Sequence, residues 1–499
     1  MQSQDRNAVG GDTIFALASG GGPAGIAVVR LSGPGAVGAL RSLAAGAAAP
    51  GERRAALRRL TDPATGEVLD EALVLAFAGP RSFTGEDVVE LHLHGGPAVV
   101  EGVLSALGRL AGLRMAEPGE FTRRAFLNGR LDLTQAEAIA DLVAAETSEQ
   151  RRQALDQAAG TLGRLYEDWR GRLISAVAHV EAGIDFADED LPDDVDRAAR
   201  AAVAALRDEI AAHLDDGRRG ERLRAGVHLA LLGRPNAGKS TLLNLLAGRD
   251  AAIVSETAGT TRDVIEVHLD LGGVPVIVAD TAGLRESADE IEREGVRRAA
   301  ARADWADLRL IVLDRADWPE VPADLRALAA AGRALVVVNK ADLRPVAAAG
   351  DLAGAPVTAI SARTGAGIDA FLERLTAEVR NLALAGAGAS PAPTRARHRR
   401  ALEQARDALG QALDGWPGRG PELVAEDLNC PVTLSSGIQA LMTLLSATKQ
   451  TSVEPSWAAD PFPSSHSLRR ALFTTTLSLP QSRKSALVTG WPVLVYVIA

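Results

Sequence analysis

The chain has 499 residues, enough for about three domains, and 47% of them are apolar but only 3% aromatic, so its cores must pack through Ala, Leu and Val. A net charge of −10 excludes a bulk electrostatic grip on nucleic acid and leaves local patches, Arg53–Arg59 (RRAALRR) and Arg395–Arg400 (RARHRR), as RNA contacts or as solvated helix faces. One cysteine excludes an internal disulfide framework, the opening MQSQDRNAVG lacks the apolar heart of a secretory signal, and no stretch reaches the roughly 18 apolar residues of a membrane span, which together predict a soluble protein of the cytoplasm.

Residues 12 to about 128 mix short strand patterns, Ile26–Leu31 (IAVVRL) and Val88–Leu93 (VVELHL), with Gly/Pro turns and Ala-rich helical stretches, which predicts an α+β domain. From Leu133 apolar residues recur at three- and four-residue steps with charges between them, the pattern of amphipathic helices in an all-α bundle. The acidic run Asp185–Asp194 (DFADEDLPDD) interrupts it, and another helix is predicted over Ala198–Leu214.

An apolar run, Val227–Leu232 (VHLALL), then leads into GRPNAGKS at 233–240 and the helical TLLNLL at 241–246. Strand, glycine loop and helix in that order form a phosphate cradle, in which backbone N–H groups of Asn236, Ala237, Gly238 and Thr241 and the positive helix end meet the phosphates. Lys239 would reach the outer phosphates and Ser240 would hold a magnesium ion. The strand pattern Val274–Ala279 (VPVIVA) ends in Asp280-Thr281-Ala282-Gly283, where the carboxylate suits a water-mediated magnesium contact and the Gly283 N–H the terminal phosphate. Ala334–Val338 ends in Asn339-Lys340-Ala341-Asp342. Asp342 can accept from the N1–H and the 2-amino group of guanine, a pair that adenine cannot present, while Asn339 braces the loop. Ser361-Ala362-Arg363 follows, its backbone placed for the guanine oxygen. Four motifs in this order, each after a strand, predict an α/β P-loop (Ras-like) GTPase domain over about 226–384 that binds GTP with Mg²⁺.

A loop of Ala, Gly and Pro (385–393) leads to a helix predicted from Arg395 to about Leu413, so the GTPase domain reads as an insertion into the helical domain. Ser and Thr then supply 19 of the 71 residues from Asn429 to Ala499, against only two acidic ones, Glu454 and Asp460. That shift from an Ala-, Arg- and acid-rich chain marks either a flexible extension or a slip of reading frame near codon 429, and composition favours the slip.

The strings DTIFALASGGGPAGIAVVRLSG, RSFTGEDVVELHLHGGP, EPGEFTRRAFLNGRLDLTQAEAIADLV and AGTTRDVIE, with the motifs above, resemble the bacterial tRNA-modification GTPases of the MnmE (TrmE) family over residues 12 to about 428. The resemblance implies a tetrahydrofolate-binding and dimerising domain at 1–129, a helical domain at 130–225 and 385–428, the G domain at 226–384, and an atypical tail at 429–499. It also implies a homodimer, a partner flavoprotein of the MnmG type carrying FAD, and no membrane. The joint activity adds carboxymethylaminomethyl or aminomethyl groups to C5 of the wobble uridine of certain tRNAs. GTP hydrolysis drives the cycle, with potassium helping two G domains to pair.

Residue by residue, the resemblance places a tetrahydrofolate one-carbon derivative on Arg30, Glu90 and Arg130. Read from the residues alone, the two arginines have surface salt-bridge partners as their alternative reading. In the G domain it places potassium on Asn236, Ser255, Thr257 and Thr260 of the P-loop and the switch loop SETAGTT, Thr261 as second magnesium ligand, and GTP contacts on Ser255, Thr260 and Thr261. Leu284 stands where signalling GTPases carry a water-orienting Gln, and Glu292, in DEIEREG, matches the family's catalytic glutamate acting through a water chain; its residues alone read as a solvated acid. The family's C-terminal Cys-Ile-Gly-Lys-like motif has no counterpart in VLVYVIA, and Cys430 in LNCPV does not take its role. GTP binding is therefore expected to survive while tRNA modification is impaired, or the chain to be a truncated product with little function. The competing class is a ribosome-assembly switch of the Era or Der type, which calls for a basic RNA-binding module after the G domain.

Overall fold

The computed structural model describes residues 11–185, 193–248, 252–253, 266–279, 305–344, 350–385 and 391–416. The chain divides into two compact units, Met1–Ala136 with Gly437–Ala499, and Glu137–Ser436. The tail expected from Asn429 lies outside the described residues.

In the first unit, β1 (Thr13–Leu17), β2 (Ala24–Ser32), β3 (Ala56–Thr61), β4 (Val68–Phe77), β5 (Val88–Gly95) and β6 (Leu113–Met115) form one sheet in the order β3-β4-β5-β2-β1-β6. Only the β1–β6 pairing is parallel. The two expected strands lie within β2 and β5, which pair directly. Their two-residue period divides the sheet into unlike faces. Ala27, Val29 and Leu31 of β2 and Val89, Leu91 and Leu93 of β5 are buried in a core closed by α1 (Ala36–Leu43) and α2 (Pro97–Gly108). Each fully buried Val or Leu contributes roughly 1.5–3 kcal/mol. The alternate positions, Arg30, Glu90 and His92, are left on the other face.

A buried charge network anchors α3 (Glu120–Leu127) in the same unit. The Arg124 guanidinium reaches Asp12 Oδ1 at 2.8 Å, Glu86 at 3.2 Å and Glu120 Oε1 at 3.2 Å. Arg114 grips both oxygens of Glu120, at 2.6 and 2.8 Å, and Ser32 Oγ donates to Glu86 Oε2 at 2.7 Å. α4 (Leu133–Val143) follows and crosses the boundary between the units.

The second unit holds two subassemblies. One is helical: α5 (Ser148–Ala158), opened by a Thr147–Gln150 capping box, then α6 (Thr161–Asp185), α7 (Asp193–Leu214), α8 (Arg219–Ala225) and, after the intervening sheet, α12 (Ala396–Gly415). Trp169, Leu173 and Val177 of α6, Val203, Leu206 and Ile210 of α7, and Leu409 and Leu413 of α12 share one apolar core. α7 begins at Asp193, ahead of the expected Ala198. Both chain crossings into the sheet are tied to α4: Asp141 Oδ1 receives Arg224 Nε at 2.8 Å, before the first strand, and Arg395 Nη2 at 2.9 Å, after the last helix.

His213 and Tyr166 meet at 3.5 Å inside this bundle. Burial, reinforced by Arg219 and Arg399, pushes the His213 pKa down to about 4 against the opposing pull of Asp216. The unfolded chain therefore takes up a proton near pH 6.5 that the folded one refuses, so stability present above pH 6.5 is lost as pH falls toward 4. We expect the helical melting temperature to decline over that window. His213→Gln should flatten the decline, and an unchanged slope would assign it to other groups.

The other subassembly is an eight-stranded sheet of β7 (Val227–Leu232), β8 (Ala252–Ile253), β9 (Glu266–Leu271), β10 (Val274–Ala279), β11 (Leu308–Asp314), β12 (Ala334–Asn339), β13 (Asp351–Leu352) and β14 (Ala355–Ala359). Its order is β13-β14-β12-β11-β7-β10-β9-β8, and the five central strands run parallel. Helices lie on both faces: α9 (Lys239–Ala247) and α11 (Ile368–Leu384) on one core, α10 (Ala323–Ala330) on the other. Cover on both faces explains why VHLALL, LRLIVLD and ALVVVN are almost continuously apolar. No helix among the described residues is long and apolar enough to cross a membrane.

Candidate functional site

In an open parallel sheet the ligand site lies beyond the carboxyl ends of the strands, where loops converge. Here the loop after β7, the loop after β12 and the loop after β14 line a cleft of about 600 Å³. The first is the glycine loop. Gly233 has φ +147°, and a Cβ there would stand 2.2 Å from the Val312 carbonyl; at Gly238, φ +94°, it would stand 2.1 Å from Asn339 Nδ2. Only glycine tolerates both the dihedral and the contact. Asn236 sits between them at φ +62°, a conformation that asparagine accepts more readily than most residues.

α9 starts at Lys239, so the N–H groups of its first turn have no intrahelical partner and face the cleft beside Ser240 and Thr241. Lys239 is buried, and its ammonium donates to the carbonyls of Gly233 at 2.8 Å and Arg234 at 2.9 Å.

Asn339 is the knot of the site. Its Nδ2 donates to the Ala237 carbonyl at 2.9 Å, and its Oδ1 accepts from the N–H groups of Lys340 at 2.8 Å and Ala362 at 2.9 Å. One buried side chain thus holds all three loops at fixed separation. Asp342 Oδ1 accepts from Ser361 Oγ at 2.7 Å, and Oδ2 accepts from Arg363 Nη2 at 2.7 Å. The Ser361 hydroxyl first, and Arg363 after it, hold the Asp342 carboxyl below its ordinary pKa. Ser361 is fully buried whereas the Arg363 side chain is 77% exposed, so Arg363 is the partner that can swing away for an incoming N–H donor.

The expected residues Asn236, Ala237, Gly238, Lys239, Ser240, Thr241, Asn339, Lys340, Asp342, Ser361, Ala362 and Arg363 are therefore gathered around one cleft. Ser255, Thr257, Thr260, Thr261, Asp280, Thr281, Ala282, Gly283 and Glu292 lie outside the described residues.

A second constellation stands on the open face of the first unit's sheet. Arg30 and Glu90 are cross-strand partners, and Arg30 Nε donates to Glu90 Oε1 at 2.9 Å. The Arg30 guanidinium lies 5.4 Å from the ring centre of Phe83 and 5.7 Å from that of Phe121, and His92 Nε2 lies 3.5 Å from Glu90 Oε2. Arg130 is exposed on the loop after α3, and a Cβ at Gly85 would come within 3.2 Å of its Cγ. Arg30 does form a salt bridge, and its partner is Glu90 itself, the other expected residue of this face. Sequence reading passed over Phe83, Phe121 and His92. The period-two pattern VVELHL could have put His92 on the Glu90 face; nothing local announces the two rings.

Residues 133–450 match the family model described as the MnmE helical domain, and residues 13–130 match that of the GTP-binding protein TrmE N-terminus. A tRNA modification GTPase MnmE from Paramagnetospirillum magneticum is 57% identical over 417 residues, covering 84% of this chain and 92% of that protein. Its counterpart from Parvibaculum lavamentivorans is 55% identical over 84% of this chain and 93% of its own length. A human mitochondrial protein, 5-taurinomethyluridine-[tRNA] synthase subunit GTPB3, is 51% identical over 80% of this chain and 84% of its own.

Proposed function

This chain belongs to the MnmE (TrmE) family of tRNA-modification GTPases, and from that premise we propose how its residues divide the work. The observation that carries the reading is the single cleft in which Asn339 ties the glycine loop to a carboxylate, Asp342, suited to guanine. Guanine docks on Asp342 as Arg363 swings out, with Ser361 keeping the carboxylate aimed. The phosphates lie along the N–H groups of the glycine loop and the first turn of α9, and Lys239 moves from its loop carbonyls to the outer phosphate oxygens.

Ser240 lines the cleft at the second position of α9, a placement that suits a magnesium ligand, with Thr261 as the second. Magnesium would supply charge neutralisation on the phosphates. Asn236 lines the cleft and carries a neutral carbonyl oxygen, the hard donor that an alkali cation takes, and Ser255, Thr257 and Thr260 would complete a potassium set. For the phosphate end we assign Asp280, Thr281, Ala282 and Gly283, and for ordering the attacking water Glu292, from their sequence motifs. In the first unit, Arg30, Glu90 and Arg130 bind the tetrahydrofolate one-carbon derivative. The carboxylate and guanidinium offer complementary hydrogen bonds, and Phe83 and Phe121 offer faces for a flat ring. The chain acts as a homodimer in the cytoplasm with an FAD flavoprotein of the MnmG type, modifying C5 of the wobble uridine of tRNA. An Era- or Der-type switch leaves the match of residues 13–130 without a role.

Potassium dependence is the test. GTP turnover in potassium is expected to exceed that in sodium at equal ionic strength by about tenfold or more, since the cation offsets charge that an arginine finger offsets elsewhere. Equal, slow rates would remove Asn236 and the switch loop from that role.

A further inference from the structure

We propose that Asp314 is a positioning residue for guanine-nucleotide binding, acting by pinning the ammonium of Lys340; the inference rests on the nucleotide reading of the same cleft. β11 ends at Asp314, in register with Asn339 at the end of β12, so the aspartate stands next to the loop that carries Lys340. Both of its oxygens are committed. Oδ1 accepts from the Ala316 N–H at 2.9 Å, capping the turn that follows β11, and Oδ2 accepts from Lys340 Nζ at 2.5 Å. The carboxylate cannot rotate without giving up the turn, so the ammonium has a fixed anchor.

Lys340 is held at its other end too. Its backbone lies at φ +64°, and its N–H donates to Asn339 Oδ1 at 2.8 Å. A lysine side chain ordinarily loses much rotational freedom when it becomes part of a binding wall. Here that ordering precedes the ligand. Lys340 lines the cleft beside Asp342, the guanine-reading carboxylate, whereas Lys239 serves the glycine loop. Its pinned stem therefore walls the base half of the site. Two consequences separate this role from its neighbours. GDP and GTP must feel it equally, because both carry the same base. Discrimination between GTP and ITP must not feel it, because an aliphatic stem cannot sense the 2-amino group that Asp342 reads.

Equilibrium binding of fluorescently labelled GDP and GTP to the full chain tests this, using Asp314→Asn, Lys340→Ala and the double variant. An amide has one acceptor oxygen for two donors, so Asp314→Asn releases the anchor. It is expected to weaken both nucleotides by about fivefold to tenfold through lost preorganisation. The loss should appear in KM rather than kcat, with the GTP:ITP ratio unchanged and no further weakening when added to Lys340→Ala. The inference is overturned by wild-type affinity in Asp314→Asn. It is equally overturned if that substitution costs as much in the Lys340→Ala background, which would assign its effect to the Ala316 turn. Failure of the wild-type chain to bind either nucleotide would overturn the nucleotide reading itself, and this inference with it.

Discussion

Asp342→Asn is expected to weaken GTP binding by about a hundredfold or more and to open the site to XTP. Guanine presents two donors to this position, N1–H and the 2-amino group, and a carboxylate accepts both. An asparagine turns its own NH₂ toward one of them, leaving two buried donors facing each other. Xanthine presents N1–H and a C2 carbonyl instead, which matches an amide donor for acceptor. Ser361 Oγ, now 2.7 Å from Asp342 Oδ1, keeps an oxygen to donate to after the substitution, so the residue stays aimed. Competition binding with GTP, ITP and XTP reads the exchange. Wild-type preference for GTP in Asp342→Asn would mean that the base is recognised elsewhere.

The other large effect is expected on stability. Arg124→Ala should destabilise the first unit by about 3–5 kcal/mol, because it strands carboxylates that are already out of water. Glu86 and Glu120 are both nearly inaccessible, and Arg124 reaches the two of them as well as Asp12. Arg114 still holds Glu120 and Ser32 still donates to Glu86, which keeps the cost within that range. Arg124→Lys should fall between, since a point charge cannot serve three carboxylates as a planar fork does. Urea denaturation followed by proteolysis of the unit measures the difference, and a loss below about 1 kcal/mol, the worth of a surface pair, would show that α3 is held by its apolar side alone. The same network sets an acid limit. Burial would raise Glu120, but Arg114, the Glu117 N–H and Arg124 outweigh it and bring its pKa to about 2. The unfolded carboxyl protonates near its ordinary value of 4.5 while the folded one resists, so stability present above that pH is lost as pH falls toward 2.

Short-range chemistry was legible along the chain. Val227–Leu232 and the strand ending at Asn339 are strands because each is a short apolar run, buried on both faces of a parallel sheet and closed by a turn. The glycine loop was legible because its dihedrals and close contacts admit few other residues. Folate-site candidates were legible as positions and not as an arrangement: Arg30 and Glu90 were named singly, yet they are bonded to each other.

Sequence alone determined, then, several of the strands and helices, where the glycine loop lies, and which side chains are candidates for guanine chemistry, since each of these is written in spacings of a few residues. Tertiary structure decided the partners. Asp314 meets Lys340, Asn339 joins three loops, Asp141 ties Arg224 to Arg395, and Phe83 and Phe121 flank Arg30 only once strand order and register bring distant segments together. A hydrophobic period records which face of an element is buried. It carries no mark of what that face, or the loop beyond it, will meet, because the choice belongs to the packing of the whole sheet.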